Sequence, residues 1–170
     1  SRGILKLIDA FNLILKKNKK IELTIIGQAR KKDFYKELKN KTSQNININL
    51  MDPIPHEQIW KILYESHVGV IPFNDHHMYH KNTPTKLFEF MASNCAIVSS
   101  DVKPVTNITS KNIYLTKNFD VESIKSGNEF YINNNIEYHE HIKKNRKKIT
   151  EKLNWNIMEK KLIHIYKKMI

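Results

Sequence analysis

The spacing of apolar residues along the chain changes repeatedly between a helical period and short continuous runs. The continuous runs predict five buried strands, at residues 21–26, 48–51, 68–73, 96–100 and 112–116. Helical spacing predicts the segments around them, at residues 4–15, 32–40, 55–66, 84–93, 120–133 and 138–170, the last interrupted near Asn154. Strands that alternate with helices predict an α/β domain, in which helices cover both faces of a parallel sheet.

Ligands of such sheets bind beyond the carboxyl ends of the strands. The loops that follow Ile26, Met51, Pro72 and Ser99 are therefore the expected location of the chemistry. No internal repeat or linker divides the 170 residues, so we expect one domain over residues 1–170.

The stretch "KNTPTKLFEFMASNCAIVSSD", residues 81–101, combines a helix start, a helix stop and a strand. Thr83 is the expected N-cap, and Pro84 occupies the first helical position, where a missing N–H costs little. Asn94 stands where a left-handed residue commonly ends a helix. The buried face of this helix is expected to consist of Leu87, Phe88, Met91 and Ala92.

This helix would begin in a loop on the ligand side, with its free N–H groups and positive dipole end facing the cleft. Such a helix start favours phosphate binding, and Thr85 and Lys86 lie in its first turn. Glu89 follows one turn later, and a carboxylate can accept from both hydroxyls of a ribose. The alternative is that Glu89 pairs with Lys86 or lies on a solvated helix face.

The chain carries 29 Lys and Arg against 17 Asp and Glu, a formal net charge of +12. This charge favours polyanionic partners, but a Lys-, Asn- and Ile-rich coding bias would produce it as well. The single cysteine, Cys95, excludes an internal disulfide and indicates a reducing compartment, so the expected location is the cytoplasm. Cys95, Trp60 and Trp155 are expected to pack in the interior.

Three histidines, His76, His77 and His80, share the loop before the predicted phosphate-binding helix. No cysteine or suitably spaced acid completes a metal site with them, and no D-x-D triplet occurs in the chain. We therefore expect no metal and no other cofactor. In that case protein cations and helix N–H groups would stabilise a leaving diphosphate.

The ordered segments "RG", "ELTIIG", "INLMDPIPHEQIWKILYESHVGVIPF", "PTKLFEFMASNCAIVSSD" and "LNW" resemble the carboxy-terminal, donor-binding half of GT-B glycosyltransferases, and family 4 in particular. The most specific of these segments is the P-x-K-x-x-E-F-M-A stretch that begins at Pro84. The resemblance implies a Rossmann-like, doubly wound sheet and transfer of a sugar from a nucleotide diphosphate donor, with retention at the anomeric carbon. The expected setting is the assembly of bacterial surface polysaccharide or glycolipid.

The resemblance also implies roles for individual residues. Glu89 would bind the donor ribose, and Arg2 would contact the diphosphate. Thr85 and Lys86 would lie near the distal phosphate, with the neighbouring loop residues Thr83 and His80 added to the donor site. Ile54 would pack near the base. The catalytic residues stay unassigned.

The chain departs from the family pattern in three respects. The Gly-rich pattern after the family's second strand is reduced to "GQA", residues 27–29. Lys81 stands where many members carry a first glutamate, eight positions before Glu89. The family's first strand, a central one, would precede Arg2, and the acceptor-binding domain would precede that strand.

The implied partners are a UDP- or GDP-type sugar donor and an acceptor glycan or lipid-linked sugar. The basic residues of 141–155 leave contact with anionic lipid open, as an alternative to a solvated helix face. No nucleic acid is expected as a partner. The competing function is a basic module that binds nucleic acid or membrane on a Rossmann-like scaffold without catalysis.

Overall fold

A computed structural model of the chain describes residues 2–29 and 31–169. Short parallel strands and helices alternate along it, as the apolar pattern predicts. The strands are β1 Leu23–Ile26, β2 Ile48–Met51, β3 Val68–Ile71, β4 Ala96–Ser100 and β5 Tyr114–Thr116.

Helices occupy every connection between these strands, and further helices precede β1 and follow β5. They are α1 Ile4–Leu15, α2 Lys32–Ser43, α3 His56–Glu65, α4 Thr85–Ala92, α5 Lys103–Thr106, α6 Val121–Asn133, α7 Asn135–Lys148 and α8 Trp155–Met169. A 3₁₀ turn, His77–His80, precedes α4, and a π-helical turn, Ile149–Leu153, joins α7 to α8. The predicted interruption near Asn154 is confirmed, while the last predicted helical residue, Ile170, lies outside the described residues.

The strands form two parallel sheets rather than one continuous sheet. β1 pairs with β2, and β4 lies between β3 and β5. No strand pair joins β1 to β3 among the described residues. The parallel α/β class is confirmed, and its hydrogen-bonded sheet is divided between β1 and β3.

The backbone pairing shows which edges face this division. The Leu23 N–H donates to the Asn47 carbonyl, so in β1 the backbone groups of Thr24 and Ile26 point away from β2. The Ala96 N–H donates to the His67 carbonyl, so in β3 those of Val68 and Val70 point away from β4. The resemblance implies a further central strand, which lies outside the described residues and stays a prediction. The edges of β1 and β3 that face the division are compatible with such a strand.

Helices pack on both faces of the three-stranded sheet. On one face, Ile71 and Ile97 contact a cluster that includes Leu87 and Met91 of α4 and Val105 of α5. On the other face, Ala96 and Val98 pack against Tyr131 of α6 and partly buried residues of α7. The two-stranded sheet packs against Ile8 and Phe11 of α1 and Leu38 of α2.

One small cluster joins the two sheets. Leu7 and Ala10 of α1 and Ile124 of α6 are buried together, with Leu23 of β1 and Val70 of β3 packed against them. The α1–α6 contact therefore holds the two halves of the molecule in place across the division.

Two predictions about buried side chains have different outcomes. Cys95 is fully buried, and burial raises the pKa of its thiol to about 11, which disfavours the reactive thiolate. Trp155 is 68% exposed, so its predicted interior position is wrong. Trp155 begins α8, in which none of the described residues is buried. The amphipathic pattern predicts an apolar side on this helix, but it does not show whether another element covers that side.

No helix in residues 2–29 and 31–169 has the length and apolar character needed to cross a lipid bilayer.

Candidate donor-binding site

The α4 helix is anchored below the carboxyl edge of the three-stranded sheet. Leu87 and Met91 are fully buried on its inner side. The Phe90 ring lies on Gly69 of β3, where an added Cβ would be 2.4 Å from a ring atom. Asn94 has a φ of 60°, and the Cys95 N–H donates to the Phe90 carbonyl, which confirms the predicted left-handed end of the helix.

The start of α4 lies one residue later than predicted. Pro84, in an extended conformation, occupies the N-cap position, so the prediction that Thr83 is the N-cap is wrong. The Pro84 carbonyl accepts a hydrogen bond from the Leu87 N–H at 3.0 Å. The extended conformation of Pro84 suits the residue that precedes a helix. Thr85 becomes the exposed first residue of the helix, and within residues 2–29 and 31–169 no side chain caps its first turn. The N–H groups of Thr85 and Lys86 are therefore available to bind an anion.

The start of α1 meets the loop that leads from β3 to α4. Gly3 has a φ of 77°, and a Cβ added to it would lie 1.7 Å from the Pro72 carbonyl oxygen. Only glycine fits this close approach in a left-handed conformation. The preceding residue, Arg2, is exposed at the same edge of the sheet.

Two cations come together at this edge. The pKa of the Lys86 ammonium is lowered, first by burial and then by the positive charge of Arg2, while Glu89 opposes the shift. The effect of Arg2 on Lys86 indicates that the two charges lie at the same edge of the molecule. A bound anion would reduce the repulsion between Arg2 and Lys86. It would also offset part of the free-energy cost of desolvating the Lys86 ammonium.

Glu89 has a partner that the sequence did not predict. Its Oε1 lies 3.1 Å from Nε2 of His56, the first residue of α3. An ionised carboxylate only accepts hydrogen bonds, so His56 is the donor. The Glu89 side chain is 25% exposed and the His56 side chain 62% exposed, so both can be reached from solvent.

The remaining predicted residues lie in the two loops that lead into α3 and α4. Ile54 is partly buried in the loop between β2 and α3, two residues before His56. His80 lies in the 3₁₀ turn, where its Nε2 is 3.3 Å from Oδ1 of Asp75 and its ring lies near Phe119. Thr83 is exposed between that turn and α4.

The histidines of the β3–α4 loop do not form a metal centre with acidic or thiol side chains. Nowhere in the described ranges 2–29 and 31–169 do three or more His, Cys, Asp or Glu side chains gather as a cation site. The His76 and His77 rings instead lie against each other, with centroids 4.4 Å apart. Whether the reaction needs a metal or another cofactor stays a prediction.

Sequence reasoning missed two polar residues at this edge. His56 is 33 positions from Glu89, and a histidine in the first turn of a helix carries no signal of a contact with another helix. Lys6 of α1 donates to the Phe119 carbonyl in the loop before α6, which adds a third cation to this side of the molecule. Its positive charge, which no other residue of α1 carries, was the available signal.

Comparison with known families identifies a sequence relationship over most of the chain. The model of a family described as glycosyl transferases group 1 matches residues 1–149. No curated protein sequence matches the chain closely enough to count as a relative.

Solved structures share the fold at low sequence identity. The C-terminal domain of LpcC, a glycosyl transferase group 1 family protein from Francisella tularensis, is 20% identical with a TM-score of 0.78, over 91% of this chain and 81% of that one. A mutant of TarM from S. aureus, in complex with Fondaparinux, alpha-GlcNAc-glycerol and UDP, is 24% identical with a TM-score of 0.73, over 94% of this chain and 32% of that one. HepE from Anabaena, in complex with UDP, is 10% identical with a TM-score of 0.82, over 98% of this chain and 45% of that one. The chain thus spans less than half the length of TarM and HepE.

Proposed function

The chain belongs to the glycosyl transferases group 1 family, and we propose that it binds the nucleotide diphosphate sugar donor of a glycosyltransferase at the start of α4. The observation that carries this proposal is the grouping of Arg2, Lys86 and Glu89 beside an uncapped helix N-terminus. Cations and free N–H groups suit a diphosphate, and the adjacent carboxylate suits the hydroxyls of the attached ribose.

Each part of the donor has a proposed set of contacts. The diphosphate lies between Arg2, Lys86 and the first N–H groups of α4, and the ribose hydroxyls bind Glu89. The base lies toward Ile54, because the loop before α3 approaches Glu89 through His56. The distal phosphate and the sugar lie toward Thr83, Thr85 and His80.

The structure of HepE with UDP supports a uridine nucleotide as the first ligand to test, since it shares the fold of this chain. We further propose retention at the anomeric carbon and metal-independent departure of the diphosphate, stabilised by Arg2, Lys86 and the α4 N–H groups. The proposed setting is surface polysaccharide or glycolipid assembly in the cytoplasm, at the inner face of the membrane. The acceptor is assigned to another part of the enzyme.

Calorimetric titration of the chain with UDP and with GDP tests this proposal. We expect saturable binding of one of them, weakened about 10- to 100-fold by Glu89→Gln, because a hydrogen bond to a charged group contributes roughly 1.5–3 kcal/mol. The matched control is Glu57→Gln, which removes an exposed carboxylate of α3 and should leave binding unchanged.

The absence of saturable binding, or equal affinities of the wild type and Glu89→Gln, would contradict the proposal. Binding of RNA that is insensitive to Glu89 and falls steeply with salt would instead support a basic binding module.

A further inference from the structure

We infer that His56 is a positioning residue that holds the Glu89 carboxylate in the orientation required by the ribose of the donor. This inference rests on the proposed donor site. The contact between His56 Nε2 and Glu89 Oε1, at 3.1 Å, links the first residue of α3 to the second turn of α4.

The His56 ring is itself held in place by its own helix. Trp60, one turn further along α3, meets the ring edge to face, with centroids 5.6 Å apart and planes at 87°. Such an aromatic contact restricts the ring orientations that the otherwise exposed side chain can adopt. The Nε2–H group of His56 therefore points at Glu89 before a nucleotide binds.

The hydrogen bond leaves Glu89 able to bind a diol. An ionised carboxylate offers about four lone-pair positions, and His56 occupies one of them on Oε1. The remaining positions suffice for two ribose hydroxyls. Because Glu89 is a long and partly exposed side chain, fixing its rotamer in advance reduces the entropy that nucleotide binding must remove.

His56 and Lys86 constrain Glu89 from different elements. Lys86 lies three residues earlier on α4, and its charge interacts with Glu89 along that helix. His56 reaches it from α3, next to the loop that contains Ile54. Through His56, the loop proposed to face the base and the carboxylate proposed to bind the ribose have a fixed relative position.

A double-mutant cycle tests the inference by calorimetry with UDP, or with GDP if UDP does not bind. We expect His56→Ala to weaken binding about fivefold to tenfold, the usual effect of losing one hydrogen-bonding partner. The same substitution in a Glu89→Gln background should have almost no further effect. His56→Gln, which retains an N–H donor, should recover part of the affinity. Gln58→Ala, an exposed change in the same helical turn, is the matched control.

The analogue of the nucleotide without the 2′- and 3′-hydroxyls separates positioning from general stability. We expect His56→Ala and the wild type to bind this analogue equally, because without the diol the orientation of Glu89 no longer matters. Thermal unfolding of each variant establishes that it is folded at the titration temperature.

Three outcomes would overturn the inference. His56→Ala could leave UDP affinity unchanged although Glu89→Gln weakens it, or it could weaken binding equally in both backgrounds, which would place His56 on the nucleotide itself. If Glu89→Gln has no effect, the proposed function fails, and the inference fails with it.

Discussion

The two sheets of this domain differ sharply in how well they are enclosed. Every residue of β4 is buried, with helices on both faces of its sheet. In the two-stranded sheet, Thr24 and Asn49 are exposed and Ile25 and Leu50 only partly buried. The three-stranded half is thus a well-packed platform, while the two-stranded half is packed mainly on the side covered by α1 and α2.

The candidate site draws on both halves. Lys86 and Glu89 belong to α4, which is fixed to the platform through Leu87 and Met91. The loop of Ile54, which follows β2 in the more open half, leads directly to His56 at the start of α3. A site built across two halves that are unequally packed depends on the contacts that join them, namely the α1–α6 cluster, Gly3 and the His56–Glu89 hydrogen bond.

Equivalent truncations in the two sheets should have unequal costs. Ile97 is fully buried in β4, so we expect Ile97→Ala to lower the free energy of unfolding by about 4 kcal/mol, within the usual range for core truncations. Ile25 is partly exposed in β1, and Ile25→Ala should cost about half as much. Urea unfolding measures both, with Ile97→Val as the milder variant. Equal losses would contradict the contrast between the sheets.

Substitution of Gly3 tests the junction between the halves. Gly3→Ala places a Cβ against the Pro72 carbonyl and forces alanine into a left-handed conformation, so we expect a loss of about 3 kcal/mol. Nucleotide affinity should fall as well, because Arg2 is displaced from the diphosphate. Differential scanning calorimetry and nucleotide titration measure the two effects.

Gly27→Ala is the control for this substitution. Gly27 has a φ of 138°, but an added Cβ would meet nothing within 4 Å, so it carries the backbone strain without the clash. It should therefore cost less stability than Gly3→Ala, which differential scanning calorimetry measures. The opposite order would show that the approach of Gly3 to Pro72 is not what joins the halves.

Much of the fold could be predicted from the sequence because apolar periodicity reports which face of each element is buried. It located all five strands, with β2 and β4 at their observed bounds. It did not report which strands are neighbours, so the division between β1 and β3 came only from the structure. The error at Trp155 has a related cause, since the pattern of α8 marks an apolar side but not whether a partner covers it.

The site was predictable to the extent that it is local. Lys86 and Glu89 lie three residues apart on one helix, and Asn94 marks the end of that helix, so their relation follows from helical geometry. The contact of His56 with Glu89 joins residues 33 positions apart, and no spacing rule indicates it. The relative position of the candidate residues on one helix was therefore accessible from the sequence, while contacts between helices required the tertiary structure.

The most direct test of the account is a crystal structure of the chain with UDP, or with GDP if that nucleotide binds more tightly. We predict that both ribose hydroxyls lie within about 3.2 Å of the Glu89 carboxylate. The diphosphate should lie at the first turn of α4, beside Lys86 and Arg2. A nucleotide bound away from α4, or bound there with its ribose turned away from Glu89, would contradict the central claim.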